Sequence, residues 1–121
     1  MREIKFRAWS GPWSSGKYRM VYSGDLREEG NADSFNFDNG ILMQYTGFKD
    51  KNGREIYEGD IVKVAWRYDS DIGTVKYIRN GFFVSDMKRH TSIPLGSISA
   101  TYEIIGNIYE NPELLGDPQW K

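Results

Sequence analysis

The chain has 121 residues, of which 39% are hydrophobic, 27% charged and 15% aromatic, so it is expected to fold as one globular domain and not to remain disordered. It contains no cysteine, which excludes thiol catalysis and thiolate metal sites. Its 16 basic and 17 acidic residues give a formal charge of −1, which removes the global electrostatic argument for nucleic-acid binding and leaves only a local basic face.

Two alternating segments near the N-terminus predict a β-hairpin. From Glu3 to Trp9 apolar and charged residues alternate with the period of a half-buried strand, and Lys17 to Tyr22 repeats that alternation after a Gly/Pro/Ser-rich connection. Pairing of these two strands is expected to gather four cations on one exposed face, with two tryptophans near it. The candidate binding residues are Lys5, Arg7, Trp9, Trp13, Lys17 and Arg19.

The chain between this hairpin and residue 41 is expected to be a long variable loop. Ser23 to Gly40 contains three glycines, several acidic residues and few residues to bury. From Ile41 onward the turn signals are clearer, because Asn52-Gly53 and Asn80-Gly81 each lie between β-forming runs. Asn-Gly supplies the two positive φ angles of a type I′ turn, so both dipeptides predict hairpins.

The rest of the chain predicts short antiparallel strands. They are expected over residues 60–66, 74–78, 82–84, 92–95 and 103–109, with a polar turn at Asp69-Ser70-Asp71. This spacing indicates a small barrel or sandwich, and the run from Gly59 to Val64 is typical of SH3-like barrels. Asn111-Pro112 then begins a helical turn that Gly116 ends.

The predicted fold class is therefore all-β. It consists of an N-terminal hairpin with a variable loop over residues 1–40, an SH3-like barrel core over residues 41–115 and a short C-terminal helical turn. The three parts are expected to form a single domain of residues 1–121.

Three segments in order carry a family resemblance: Lys5 to Trp9, Leu42 to Val62 and Tyr102 to Leu114. Together they resemble the YopX proteins, small proteins of phages and prophages. The resemblance implies a phage-type accessory protein in the cytoplasm of a bacterial host, and it implies no particular reaction. Cytoplasmic location is also expected because no apolar run approaches the roughly 20 residues of a membrane helix and the N-terminus does not resemble a signal peptide.

The chain offers few candidates for catalysis, and we expect that it is not an enzyme. His90 is the only histidine, which excludes a multi-histidine metal cluster within one chain. It follows Lys88-Arg89, where a surface histidine is favoured over a catalytic base. Asp69 and Asp71 flank a serine as in an ordinary turn, which is favoured over a cation site or a carboxylate pair.

Neither a nucleophile elbow nor a phosphate-binding glycine loop occurs, so no small-molecule cofactor and no metal are expected. Structural roles are favoured for the acidic residues of the second family segment, which are Glu55, Glu58 and Asp60.

Two functions of different class follow from the surface residues. The first is a protein-interaction or self-assembling β module, because tryptophan and tyrosine anchor interfaces and edge strands can pair with another chain. The partner is then a second copy, giving a homo-oligomer, or another protein. The alternative is single-stranded nucleic acid on the N-terminal cationic face, where cations neutralise phosphates and rings stack on bases at about 1–3 kcal/mol each. Lys88-Arg89-His90 either extends that face or is only a loop.

Overall fold

The computed structural model of the protein describes residues 4–12, 15–22, 40–97 and 99–115. Within these residues the chain forms nine strands and one 3₁₀ helix of residues Pro112–Leu115. The strands are β1 (Phe6–Ser10), β2 (Arg19–Tyr22), β3 (Gly40–Lys49), β4 (Glu55–Tyr57), β5 (Asp60–Ala65), β6 (Ser70–Ile78), β7 (Gly81–Ser85), β8 (Ile93–Pro94) and β9 (Thr101–Asn107). The predicted all-β class and the C-terminal helical turn are confirmed. None of the helical segments in this described part is long and apolar enough to cross a membrane.

The chain divides into two compact units, Met1–Tyr45 and Thr46–Lys121. The strands form two sheets, one in the order β2-β1-β3-β4 and one in the order β8-β7-β6-β5-β9. The boundary between the units falls within β3. Residues 40–44 of this strand pair with β1 in the first unit, and its last residues belong to the second unit. The assignment of all 121 residues to a single domain stays a prediction.

In the first unit, the predicted N-terminal hairpin is confirmed. β1 pairs antiparallel with β2 on one side and with β3 on the other. The ring of Trp9 stacks on that of Tyr18 with centroids 6.0 Å apart. Residues 23–39, most of the expected variable loop, lie outside the described residues, and Gly40 is the first residue of β3.

In the second unit, five antiparallel strands form a sheet that curls as a half-barrel. Alternate residues of these strands point to one side and enclose an apolar core, as period-two alternation predicts. The core residues are Ile56, Val62, Val64, Val75, Phe82, Val84, Met87, Leu95, Tyr102 and Ile104. Burial of each large aliphatic side chain contributes about 1.5–3 kcal/mol to stability, so this core is the main source of stability in the second unit.

Both predicted hairpins form, but the predicted turn type is wrong at each of them. The described non-glycine residues with positive φ are Arg79 (57°) and Asp86 (63°), so neither Asn52 nor Asn80 adopts the left-handed conformation. In the first hairpin Asp50 pairs with Arg54 around a three-residue loop, and Gly53 alone has positive φ (83°). In the second hairpin Ile78 pairs with Gly81, so the two-residue loop is Arg79 and Asn80. The glycine of each dipeptide thus lies one position later in the hairpin than a type I′ turn requires.

Two buried carboxylates organise the chain around these turns. Asp50 is 6% exposed and accepts hydrogen bonds from the backbone N–H groups of Asn52, Arg54 and Ile104 at 2.9–3.0 Å. Burial tends to raise the pKa of Asp50, but these backbone donors outweigh it and lower the pKa. Asp60 is 2% exposed and accepts from the backbone N–H of Tyr57 at 2.8 Å, in agreement with the structural role expected for it.

Candidate functional site

The N-terminal cations do not share one face, and this part of the sequence prediction is wrong. In the register of the hairpin, Arg7 lies opposite Tyr22, and Ser10 lies opposite Arg19. Directly opposed residues of an antiparallel pair point to the same face, and neighbours along a strand point to opposite faces. Lys5, Arg7 and Trp9 therefore lie on one face of β1, whereas Arg19 lies on the other. Grouping all four cations would require a register one residue away, because a slip of one residue changes the face of every side chain.

Burial further reduces the predicted basic surface. Arg7 is only 3% exposed, although it was expected on an exposed face. Lys5 is half-buried, and its Nζ lies 5.5 Å from the centroid of the Tyr45 ring. Trp9 is half-buried too, while Lys17 and Arg19 are exposed. Trp13 lies outside the described residues, and a binding role for these six residues stays a prediction.

The densest group of charged side chains lies instead in the second unit, where the β5–β6 turn meets the β7–β8 connection. The His90 Nδ1 lies 2.7 Å from Asp71 Oδ2, and its Nε2 lies 3.1 Å from Asp69 Oδ2. The imidazole also packs on the indole ring of Trp66, with centroids 4.5 Å apart. We call Trp66, Asp69, Asp71, Arg89 and His90 the His90 cluster. The surface histidine expected from sequence is thus a half-buried residue with two carboxylate partners.

Arg89 joins the same two segments of chain by a second set of contacts. Its Nη2 donates to Asp69 Oδ1 and to the carbonyl oxygen of Ser70, each at 2.6 Å, and its backbone N–H donates to Asp71 Oδ2 at 3.0 Å. Within the turn, the backbone N–H of Trp66 donates to the carbonyl of Asp69 at 2.7 Å. The predicted turn at Asp69-Ser70-Asp71 is misplaced, because Ser70 and Asp71 already belong to β6.

Electrostatics keep both aspartates of the His90 cluster ionised. Burial tends to raise the pKa of Asp71, but hydrogen bonds from the His90 side chain and from the backbone N–H groups of Arg89, Ile72 and Lys88 outweigh it and lower the pKa to about 2. The pKa of Asp69 is lowered by the Ser70 backbone N–H and by Arg89.

This geometry suits a positioning role for His90. A general base needs a nitrogen directed at the proton that it removes, whereas both His90 nitrogens face carboxylates. Among the described residues, no group of three His, Cys, Asp or Glu side chains is arranged to hold a metal ion. The contacts of the His90 cluster hold the β5–β6 turn against the β7–β8 connection.

The turn held in this way presents an exposed aromatic ring. Tyr68 is 88% exposed, and the Arg67 guanidinium carbon lies 5.3 Å from its ring centroid. We call Arg67 and Tyr68 the Tyr68 tip. Arginine and tyrosine are enriched among residues that dominate binding energy at interfaces, and a turn with fixed ends loses little conformational entropy on binding.

A pocket of about 270 Å³ adjoins the His90 cluster. Ser70 and Asp71, at the start of β6, line one part of it. We call it the Ile72 pocket. Its apolar wall consists of Ile72, Leu114 and Leu115. Its charged residues are Lys63, Asp71, Asp86 and Lys88. The Tyr68 tip follows Trp66 of the cluster along the chain, the Ile72 pocket shares Asp71 with it, and together they form the candidate functional site.

Parts of the His90 cluster are recognisable in the sequence, but their meeting in one cluster is not. The acidic pair and the basic Lys88-Arg89-His90 stretch were each considered alone, and their opposite charges were the signal that could have joined them. The hairpin between Ser70 and Ser85 returns the chain so that residues 19 apart meet. Ile72 and Leu114 carried no such signal, because they look like ordinary strand and helix residues.

The architecture and its sequence can be compared with known proteins. The family model described as YopX protein matches residues 5–116. The chain belongs to the YopX family. The match spans all three segments on which the resemblance was based, so that prediction is confirmed.

Among solved structures, this YopX-family chain is similar to protein EF1440 from Enterococcus faecalis. The crystal structure of that protein has a TM-score of 0.53 and 24% sequence identity, and the match covers 96% of this chain and 100% of that one. At this identity the likeness shows the shared fold. A search of curated proteins found no match.

Proposed function

We propose that this YopX-family protein is a non-catalytic accessory protein of phage type that binds other protein molecules in the bacterial cytoplasm through the Tyr68 tip and the Ile72 pocket. One observation carries the proposal: Tyr68 is 88% exposed on a turn whose ends are tied to the β7–β8 connection by the His90 cluster. Tyrosine and arginine are common anchors of interface centres, and a turn with fixed ends loses little conformational entropy when a partner covers it.

The non-catalytic character rests on the partners of His90. Both of its ring nitrogens are within 3.1 Å of aspartate oxygens, so neither is directed at a substrate. The neighbouring Asp71 has a pKa of about 2, which suits a permanent anion better than a group that exchanges protons near neutral pH. These properties favour a cluster that shapes a surface over one that moves protons.

We expect a partner protein to bind through side chains and not by pairing one of its strands with the edge of β9. The carbonyl of Tyr102 accepts from the backbone N–H of Lys51 at 2.8 Å, and the backbone N–H of Ile104 donates to Asp50 at 3.0 Å. These outward groups of β9 are therefore engaged by the β3–β4 turn, which blunts the edge against another chain. The partner, whether a second copy or a different protein, is expected to meet the Tyr68 tip instead.

Site-specific photocrosslinking tests this proposal. The full chain is produced with p-benzoylphenylalanine in place of Tyr68, in the bacterium that carries its gene, and adducts are identified by mass spectrometry. The matched control places the same residue at Asn52, which is exposed on another hairpin turn. We expect protein adducts from position 68 at least tenfold more abundant than those from position 52.

Each outcome of that experiment decides between functions. Adducts with another protein or with a second copy support the proposal. Adducts with nucleic acid alone overturn it in favour of nucleic-acid binding, and the absence of adducts above the control level overturns the role of the Tyr68 tip.

A further inference from the structure

We propose that the Ile72 pocket binds an acidic segment of a partner protein by taking up one large apolar side chain of that segment. This inference rests on the proposed protein-binding function and specifies the chemistry of the partner. It is argued from the size of the pocket, its apolar wall and the charges that remain unpaired at its rim.

The size of the pocket suits a single side chain. Its volume of about 270 Å³ lies below the roughly 300–1,000 Å³ of pockets that enclose whole small molecules. The Ile72 residue is 37% exposed on β6, and Leu114 and Leu115 of the 3₁₀ helix are half-buried. An apolar side chain placed against these three residues would gain about 25 cal/mol for each Å² of apolar surface removed from water.

The acidic residues of the pocket already have side-chain partners. Asp86 forms an ion pair with Lys76 at 2.9 Å, and Asp71 lies 2.7 Å from His90. Lys63 and Lys88 are exposed, and neither forms an ion pair within the part of the chain that the structure describes. The rim of the pocket therefore offers two lysine ammonium groups that could meet the carboxylates of a partner.

Charge complementarity selects the occupant. Two free lysines attract carboxylates flanking the inserted side chain and repel a basic segment, which affects specificity and association rate more than affinity. The aliphatic wall favours an apolar side chain over a lone phosphate, which would leave that wall uncovered, and over a nucleic-acid base, which would need a ring to stack on. An acidic segment with one apolar anchor satisfies both parts of the site.

Methyl and amide NMR of the full chain with synthetic peptides tests the inference. The probe is acetyl-Glu-Asp-Trp-Glu-Asp-amide, and two control peptides replace either its tryptophan by alanine or its four acids by lysines. We expect the probe to shift the Ile72 δ1-methyl resonance and the Lys88 amide resonance. Both control peptides are expected to bind at least tenfold more weakly.

Variants of the protein provide the matching controls. The double charge reversal K63E/K88E should weaken binding of the probe at least tenfold, whereas Lys49→Glu, at an exposed lysine outside the pocket, should leave it unchanged. Ile72→Asp should also weaken binding. The amide spectrum of each variant establishes that it is folded, and the charge reversals, at exposed residues, keep the test valid if Ile72→Asp does not fold.

Several results would overturn the inference. One is that the Ile72 δ1-methyl resonance does not shift when the probe is added at millimolar concentration. Another is that a control peptide binds with the same affinity as the probe. A third is that an oligonucleotide shifts the resonance and the probe does not. A shift that depends on protein concentration without any peptide would show that a second copy, rather than an acidic segment, occupies the pocket.

The crosslinking experiment separates this inference from the function on which it rests. If adducts from position 68 persist unchanged in the K63E/K88E background and the probe fails to bind, the protein-binding function stands and the acidic-segment inference falls. If position 68 yields no adducts, the proposed function falls whatever the peptides do.

Discussion

At the residue scale, Asp71 shows how one side chain can organise a surface. It lies in β6 opposite Val64, and its side chain is only 7% exposed. Its Oδ2 meets both the His90 ring and the Arg89 backbone N–H. Removing one member of a buried, hydrogen-bonded pair leaves the other without its partner and is strongly destabilising. Asp71 should therefore matter more to stability than its exposed neighbours.

Substitution of Asp71 should therefore have a pH-dependent effect on stability. Its pKa is lowered from 3.8 to about 2 in the folded protein, so its contribution of about 2 kcal/mol is present above about pH 4 and is lost as the pH falls toward 2. We expect Asp71→Asn to reduce the free energy of unfolding at pH 6, and the difference from the unsubstituted protein to shrink at pH 3 and below.

Urea denaturation at pH 6, 4, 3 and 2 measures this difference. Asp86→Asn is the control, because the Lys76–Asp86 ion pair is exposed and should contribute less than about 1 kcal/mol. A difference that is the same at every pH would contradict the ionised state of Asp71 as the source of its effect.

At the element scale, close packing of β6 against β7 and Met87 depends on a missing side chain. A Cβ at Gly73 would lie 2.6 Å from the Ser85 carbonyl oxygen and 2.7 Å from atoms of Val84 and Met87. These neighbours include backbone and core atoms that cannot move without disturbing the sheet. The glycine therefore permits the close approach of these elements.

We expect Gly73→Ala to destabilise the protein by about 1–3 kcal/mol, because the added methyl group overpacks a region that is already full. Gly81→Ala in β7 is the matched control, since the nearest atom to its Cβ would be Phe83 Cε1 at an ordinary 3.6 Å. Thermal unfolding of both variants measures the difference. Equal melting temperatures would show that the sheet relaxes around the extra methyl.

At the scale of the whole molecule, we expect protein partners rather than nucleic acid because of how the charges are distributed. The formal charge is −1, and the hairpin register places Arg7 and Arg19 on opposite faces. Non-specific affinity for nucleic acid depends on several cations that contact phosphates together. In the described part of the N-terminal hairpin, a buried Arg7 and a divided set of cations do not provide such a surface.

Light scattering with mixed single- and double-stranded oligonucleotides tests this expectation. We expect the mass of the protein to remain a fixed multiple of the 14.0 kDa chain at both low and high salt. A salt-sensitive increase in mass on adding oligonucleotide would instead support the alternative function. Arg19→Ala would then show whether the exposed side of the hairpin is responsible.

Local sequence predicted most strands of this protein, because period-two alternation and turn residues act over a few neighbouring positions, although it misplaced the β5–β6 turn and the type of both Asn-Gly turns. It predicted the N-terminal hairpin, the strands of the second unit and the helical turn at Pro112. The tertiary structure was needed to establish the register of β1 against β2, which separates the cations that the prediction had grouped. It also brought together Asp71 and His90, which are 19 positions apart. Such contacts depend on how paired strands return the chain, which local patterns do not encode.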